Sequence, residues 1–130
     1  MSQSYKKEVI SSLNVAPSSS PLSQGIKWGN LIFLSGQIGR NPDTGELEKG
    51  ASTQIKRVLQ NLKEVLLPAN SSTDKVLKTT IFLTDINNVE KLNAIYKEYF
   101  NEPFPSRSCV EVSSLSKGAE VEIELIAFCE

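Results

Sequence analysis

Two hydrophobic periods divide this chain. After Gly50 the apolar residues Ile55, Val58, Leu59, Leu62, Val65 and Leu66 recur at helical spacing, while Lys56, Gln60, Lys63 and Glu64 fall on the other side, so an amphipathic helix runs as far as Pro68. A second helix follows Asn87-Asn88, buries Val89, Leu92, Tyr96, Tyr99 and Phe100, and breaks at Pro103. Elsewhere the period is two. Strands are predicted over residues 5–10, 25–27, 31–35, 76–84, 106–112 and 120–128, with Gly29-Asn30 turning the second into the third. Residues 14–21, rich in Ser and Pro, read as a loop, and residues 40–45 and 116–118 as turns. This order predicts an α+β fold with two helices on one side of a largely antiparallel sheet.

At 130 residues the chain reads as one domain, 1–130, able to bury a core without disulfides or metal. Lys plus Arg number 14 against 15 for Asp plus Glu, so nothing draws it to nucleic acid or to an anionic membrane. There are two cysteines, Cys109 and Cys129, which fits a reducing compartment and leaves at most a single bridge open. No apolar run reaches the roughly 18 residues of a membrane span, and no apolar stretch follows Lys6-Lys7 to make a signal peptide. A cytosolic protein is expected, or one trimmed on import. Histidine is absent, which excludes Ser-His-Asp and Cys-His nucleophiles, an imidazole base and His-ligated metal. Acid–base chemistry then falls to carboxylates, Tyr, Lys, Cys, or backbone and water.

Residues 104–112 place Arg107 at the mouth of an apolar strand with no acidic neighbour beside it. Pro105 favours extended geometry before it, and alternation sets Arg107, Cys109 and Glu111 on one face. A guanidinium there suits bidentate capture of a small carboxylate. An arginine paired with a glutamate at a surface or interface fits the same residues. Glu120, Glu122 and Glu124 share one face of the last strand, opposite Val121, Ile123, Leu125 and Ala127. They form either a solvated sheet face or, if the turn at Gly118 makes a hairpin of the last two strands, a carboxylate lying across from Arg107 or Cys109 and able to hold a water. Ser35-Gly36-Gln37-Ile38-Gly39 is either a strand-end turn or bulge, or a place where backbone approaches a ligand.

Five stretches together, 34–38, 41–45, 93–96, 105–112 and 122–127, resemble in order and over nearly the whole chain the RidA (YjgF/YER057c/UK114) family of enamine/imine deaminases. The segments 30–34 and 81–87 look most like fungal members, which include cytosolic and mitochondrial-matrix forms. The resemblance implies a chorismate-mutase-like α+β fold, a homotrimer with three clefts between subunits, and binding of small 2-oxo and 2-imino carboxylic acids without metal or organic cofactor. By the same resemblance Arg107 clamps the substrate carboxylate, the main chain of Cys109 contacts the substrate, Glu122 positions the attacking water, and Asn93, Ser35 and Gly36 shape the cleft. The reaction implied is hydrolysis of 2-aminoacrylate or 2-aminocrotonate, through the imine, to pyruvate or 2-oxobutanoate and ammonia.

Two positions depart from the family pattern. Leu22 stands where a tyrosine usually lines the cleft, which predicts a slower or retuned deaminase, and Gly39 stands where proline is usual, followed by Arg40, which is read as solvated. The alternatives are a catalytically weak member that binds or regulates through small carboxylates, and an RNA-directed ribonuclease or translation inhibitor. Charge and the missing histidine speak against the last.

Overall fold

The computed structural model describes residues 6–130. Six strands and two helices follow in the order β1 (Glu8–Ile10), β2 (Gly25–Trp28), β3 (Leu31–Ile38), α1 (Ala51–Leu66), β4 (Val76–Leu83), α2 (Val89–Tyr99), β5 (Ser106–Glu111) and β6 (Val121–Phe128). The predicted start of the first strand at residue 5 lies outside the described residues. The sheet order is β1-β2-β3-β6-β4-β5, antiparallel throughout except for the parallel pair β4-β5.

The apolar stripe of α1 is buried as its spacing predicts, from Ile55 to Leu66, and meets Ile32, Leu34, Ile81, Leu83, Ile123 and Leu125 from one face of the sheet. Leu92, Ile95, Tyr96 and Phe100 close the same core from α2 and the residue that ends it. Two polar side chains of α1 are also buried and hold distant backbone. Gln54 donates to Glu48 O at 3.0 Å and accepts from Glu120 N at 2.9 Å; Asn61 donates to Arg40 O at 3.1 Å. Helix α1 runs so close to the end of β3 that a Cβ at Gly39 would lie 2.8 Å from Gln54 Cα, so a larger residue there would need the helix backbone to shift.

The predicted hairpin of the last two strands is not formed. The β4-α2-β5 crossover lays β5 parallel to β4 at the sheet edge, and β6 takes the slot on β4's other side, against β3. The reason lies in what each strand buries: Val121, Ile123, Leu125 and Ala127 of β6 are nearly inaccessible, whereas β5 turns Arg107 and Cys109 inward and suits an edge. The link between them is a 3-10 turn at Ser116–Gly118, not a tight hairpin turn.

The face away from the helices is open to solvent, as one of the two readings had it, but carboxylates are only part of it. Glu122 and Glu124 share it with Phe33, Phe82, Val110, Ile126 and Phe128, and Phe33 and Val110 are more than 40% exposed.

Candidate functional site

Glu122 is positioned by a bulge. Between the register pairs Leu34–Leu125 and Gln37–Ile123, β3 spends Ser35 and Gly36 against Glu124 alone. This brings Gly36 against the Glu122 side chain, so close that a Cβ on residue 36 would lie 2.7 Å from Oε2. The Ser35 hydroxyl donates to Ser23 O at 2.6 Å and its amide to Gln24 O at 2.9 Å, which ties the segment beside Leu22 to β3. Ser35 therefore positions the wall, its proton already committed. Leu22, half-exposed, Gly36 and Glu122 line a cavity of about 470 Å³ under the loop at 16–20. Burial raises the Glu122 pKa above the ordinary carboxylate value, and the negative charge of Glu124 raises it further.

Arg40 is not simply solvated. Its Nε donates to Gly45 O at 2.8 Å and its Nη1 to Pro17 O at 3.0 Å, so the side chain staples the 16–20 loop to the 40–45 turn on the rim of that cavity.

Arg107 belongs to a different pocket. It lies opposite Thr79 in the β4-β5 register, hence on the helix side of the sheet, and its guanidinium sits 5.1 Å from the centre of the Tyr96 ring. Tyr96 is held in turn by a 2.8 Å bond between its hydroxyl and that of buried Thr79, and by the Phe100 ring at 4.4 Å. Among the described residues Arg107 has no carboxylate partner, so it is not the half of a glutamate ion pair within this chain. Asn93, Phe104, Pro105 and Arg107 line a cavity of about 270 Å³. Cys109 follows on the same side, half-buried, its thiol pKa raised by burial and partly offset by the charge of Arg107. No three His, Cys, Asp or Glu of the described residues gather to hold a metal ion.

The seven residues singled out from the sequence thus separate into two groups. Leu22, Gly36 and Glu122 line one pocket with Ser35 next to Gly36 in the chain, and Asn93 and Arg107 line another with Cys109 two residues further along the same strand, on opposite faces of the sheet with β4 between the strands that carry Glu122 and Arg107. The supporting polar residues Gln54, Asn61 and Thr79 were not anticipated; their helical or strand positions carry no sequence mark that distinguishes them from surface residues.

Residues 13–129 match the family described as Endoribonuclease L-PSP. A RutC family protein of Pyrococcus abyssi is 46% identical over 125 residues, covering 95% of this chain and 98% of its own. The 2-iminobutanoate/2-iminopropanoate deaminase of Homo sapiens is 38% identical, covering 93% of this chain and 89% of its own. A crystal structure of Escherichia coli TdcF with bound serine superposes with a TM-score of 0.90 at 35% identity, over 95% of this chain and 99% of that one.

Proposed function

The chain belongs to the RidA (YjgF/UK114) family, and from that premise we propose that it hydrolyses 2-iminobutanoate and 2-iminopropanoate to 2-oxo acids and ammonia, at clefts between the subunits of a homotrimer. The observation that carries this is the division of the site: one face holds a guanidinium without a carboxylate partner among the described residues, and the opposite face holds a carboxylate with a raised pKa beside an open cavity. The apolar sheet face around Phe33, Ile126 and Val110 gives neighbouring copies a surface to bury, and juxtaposing copies lets the Arg107 pocket of one meet the Glu122 pocket of the next.

In the assembled cleft Arg107 takes the substrate carboxylate in a bidentate pair and the Cys109 main chain aligns it. Asn93 and Gly36 border the substrate. Glu122 accepts a proton from a water whose oxygen attacks C2 of the protonated imine, returns that proton to the nitrogen of the carbinolamine, and then takes the C2 hydroxyl proton as the C–N bond breaks, so that ammonia leaves and the carbonyl of the 2-oxo acid forms. A carboxyl with a raised pKa suits both halves of this proton shuttle. Leu22 supplies apolar bulk without a hydroxyl, which slows or retunes the reaction. Both thiols are free, in keeping with the cytosol or mitochondrial matrix as its compartment.

The family description names an endoribonuclease. With a net charge of −1 and no histidine, this chain carries no excess of basic residues to draw a phosphate backbone and lacks the imidazoles of the usual nuclease acid–base pair. The direct test is release of ammonia and 2-oxobutanoate from 2-iminobutanoate generated in situ, with wild type, Arg107→Ala and Leu22→Tyr. Turnover lost in the arginine variant alone supports the deaminase. Turnover absent from wild type but present in Leu22→Tyr assigns the cleft to binding instead.

A further inference from the structure

We infer that the Glu122 pocket has its own anion pole, formed by Arg40 and Lys117, and that the substrates this cleft favours are imino acids bearing a second, acidic group on the side chain. The inference rests on the deaminase reading and narrows its substrate class.

Among the described residues, the charged ones lining the cavity of about 470 Å³ are Arg40, Lys117 and Glu122: two cations and one carboxylate. Arg40 is fixed. Its two side-chain bonds go to the neutral carbonyls of Gly45 and Pro17, at 2.8 and 3.0 Å, and its own carbonyl accepts from buried Asn61. Those bonds orient the guanidinium without neutralising it, and they occupy two of its five N–H donors. Lys117 is delivered by the 3-10 turn, in the left-handed region at φ 58°, with the turn closed by the Ala119 amide on Ser116 O at 3.0 Å.

Neither cation is paired with Glu122. No ion pair joins them, and the Glu122 pKa is moved upward, by burial and by Glu124, with no basic residue lowering it. The pocket therefore keeps positive charge that its own carboxylate does not answer. A substrate with one carboxylate spends it on Arg107 in the other half of the cleft and leaves Arg40 and Lys117 unanswered. A substrate whose side chain ends in a second carboxylate meets them. Leu22, with no hydroxyl to offer, leaves the polar contacts on this side to the two cations and to the serines of the 16–20 loop.

The experiment titrates wild type, Arg40→Gln and Lys117→Ala calorimetrically with 2-oxoglutarate and with 2-oxobutanoate, and compares the ratio of the two affinities. Wild type is expected to prefer the dicarboxylate, with the preference falling about tenfold in Arg40→Gln and less in the more exposed Lys117→Ala. Lys117 makes no loop-anchoring bond, so a fall in its variant separates charge from the stapling role of Arg40. A purely structural Arg40 would lower both affinities together and leave the ratio unchanged, which overturns the inference. So does a wild type that binds 2-oxobutanoate as tightly as 2-oxoglutarate, or binds neither. A preserved preference without turnover of either imine would instead count against the deaminase reading and leave the anion pole standing.

Discussion

Adding one methyl group at residue 36 tests the role of Glu122 without touching its carboxylate. In Gly36→Ala the new Cβ would sit 2.7, 2.8 and 2.9 Å from Oε2, Cδ and Cγ of Glu122. Ordinary contact is about 3.5 Å, so the carboxylate must retreat by about 0.7 Å. The backbone does not resist the change, because Gly36 is not among the glycines with positive φ. Nor does the fold, since the displaced atoms are the free end of a half-buried side chain beside an open cavity, and the cost in stability is expected to stay below about 1 kcal/mol. Catalysis is less forgiving. Misplacing a water-positioning group by most of an ångström lowers kcat/KM about a hundredfold, or about 2.7 kcal/mol of transition-state stabilisation. Ammonia release from 2-iminobutanoate, measured beside a thermal melt, reads both quantities. A variant with the wild-type melt and wild-type kcat/KM would refute the placement of Glu122 at the reaction.

Further outcomes follow from the same geometry. Arg107→Ala should abolish binding of 2-oxobutanoate in titration while retaining fold and assembly; a variant that no longer assembles would make the arginine structural. Leu22→Tyr should raise turnover by up to about tenfold, the worth of one unmade hydrogen bond of roughly 0.5–1.5 kcal/mol, and an unchanged or lower rate would show that leucine is not what limits the enzyme. The folded-state pKa of Glu122 lies above its unfolded value, so its contribution to stability is complete below the ordinary carboxylate value of about 4.3 and is lost as pH rises through the raised one. Glu122→Gln should therefore gain on wild type in urea melts as pH increases over that window, and a constant difference would contradict the shift. Removing the neighbouring charge in Glu124→Gln should lower the Glu122 pKa and move the acid limb of the rate profile to lower pH; a limb that stays in place or moves upward would deny the coupling.

Where residues act locally, the sequence was readable. The helical stripe from Ile55 to Leu66 and the turn at Gly29-Asn30 are each dictated by neighbours in the chain, and each stands as its pattern predicts; at Ser35-Gly36 the pattern left a turn and a bulge both open, and the pairing of β3 with β6 decides for the bulge. Strand order was not. The short 3-10 turn at Ser116–Gly118 looks like a hairpin turn in composition, yet strand placement answers to burial across the whole sheet. The inward polar pair Arg107 and Cys109 marked β5 as an edge strand, a signal present in the residues but outweighed by the nearness of Gly118. Gln54 and Asn61 were illegible for another reason: they bond backbone from segments up to 66 residues away. The same distance explains the candidate site. Its residues were proposed by type and motif, while their division between two faces arises only from topology.

That division yields the most direct test of the account. Arg107→Ala and Glu122→Gln, each expected to be inactive alone, are unfolded together, refolded as a 1:1 mixture and assayed for ammonia release. If every working cleft joins Arg107 of one copy to Glu122 of its neighbour, random reassembly restores both groups to about a quarter of the clefts, and activity returns to about that fraction of wild type. Mixed assemblies that remain inactive would contradict a cleft shared between subunits.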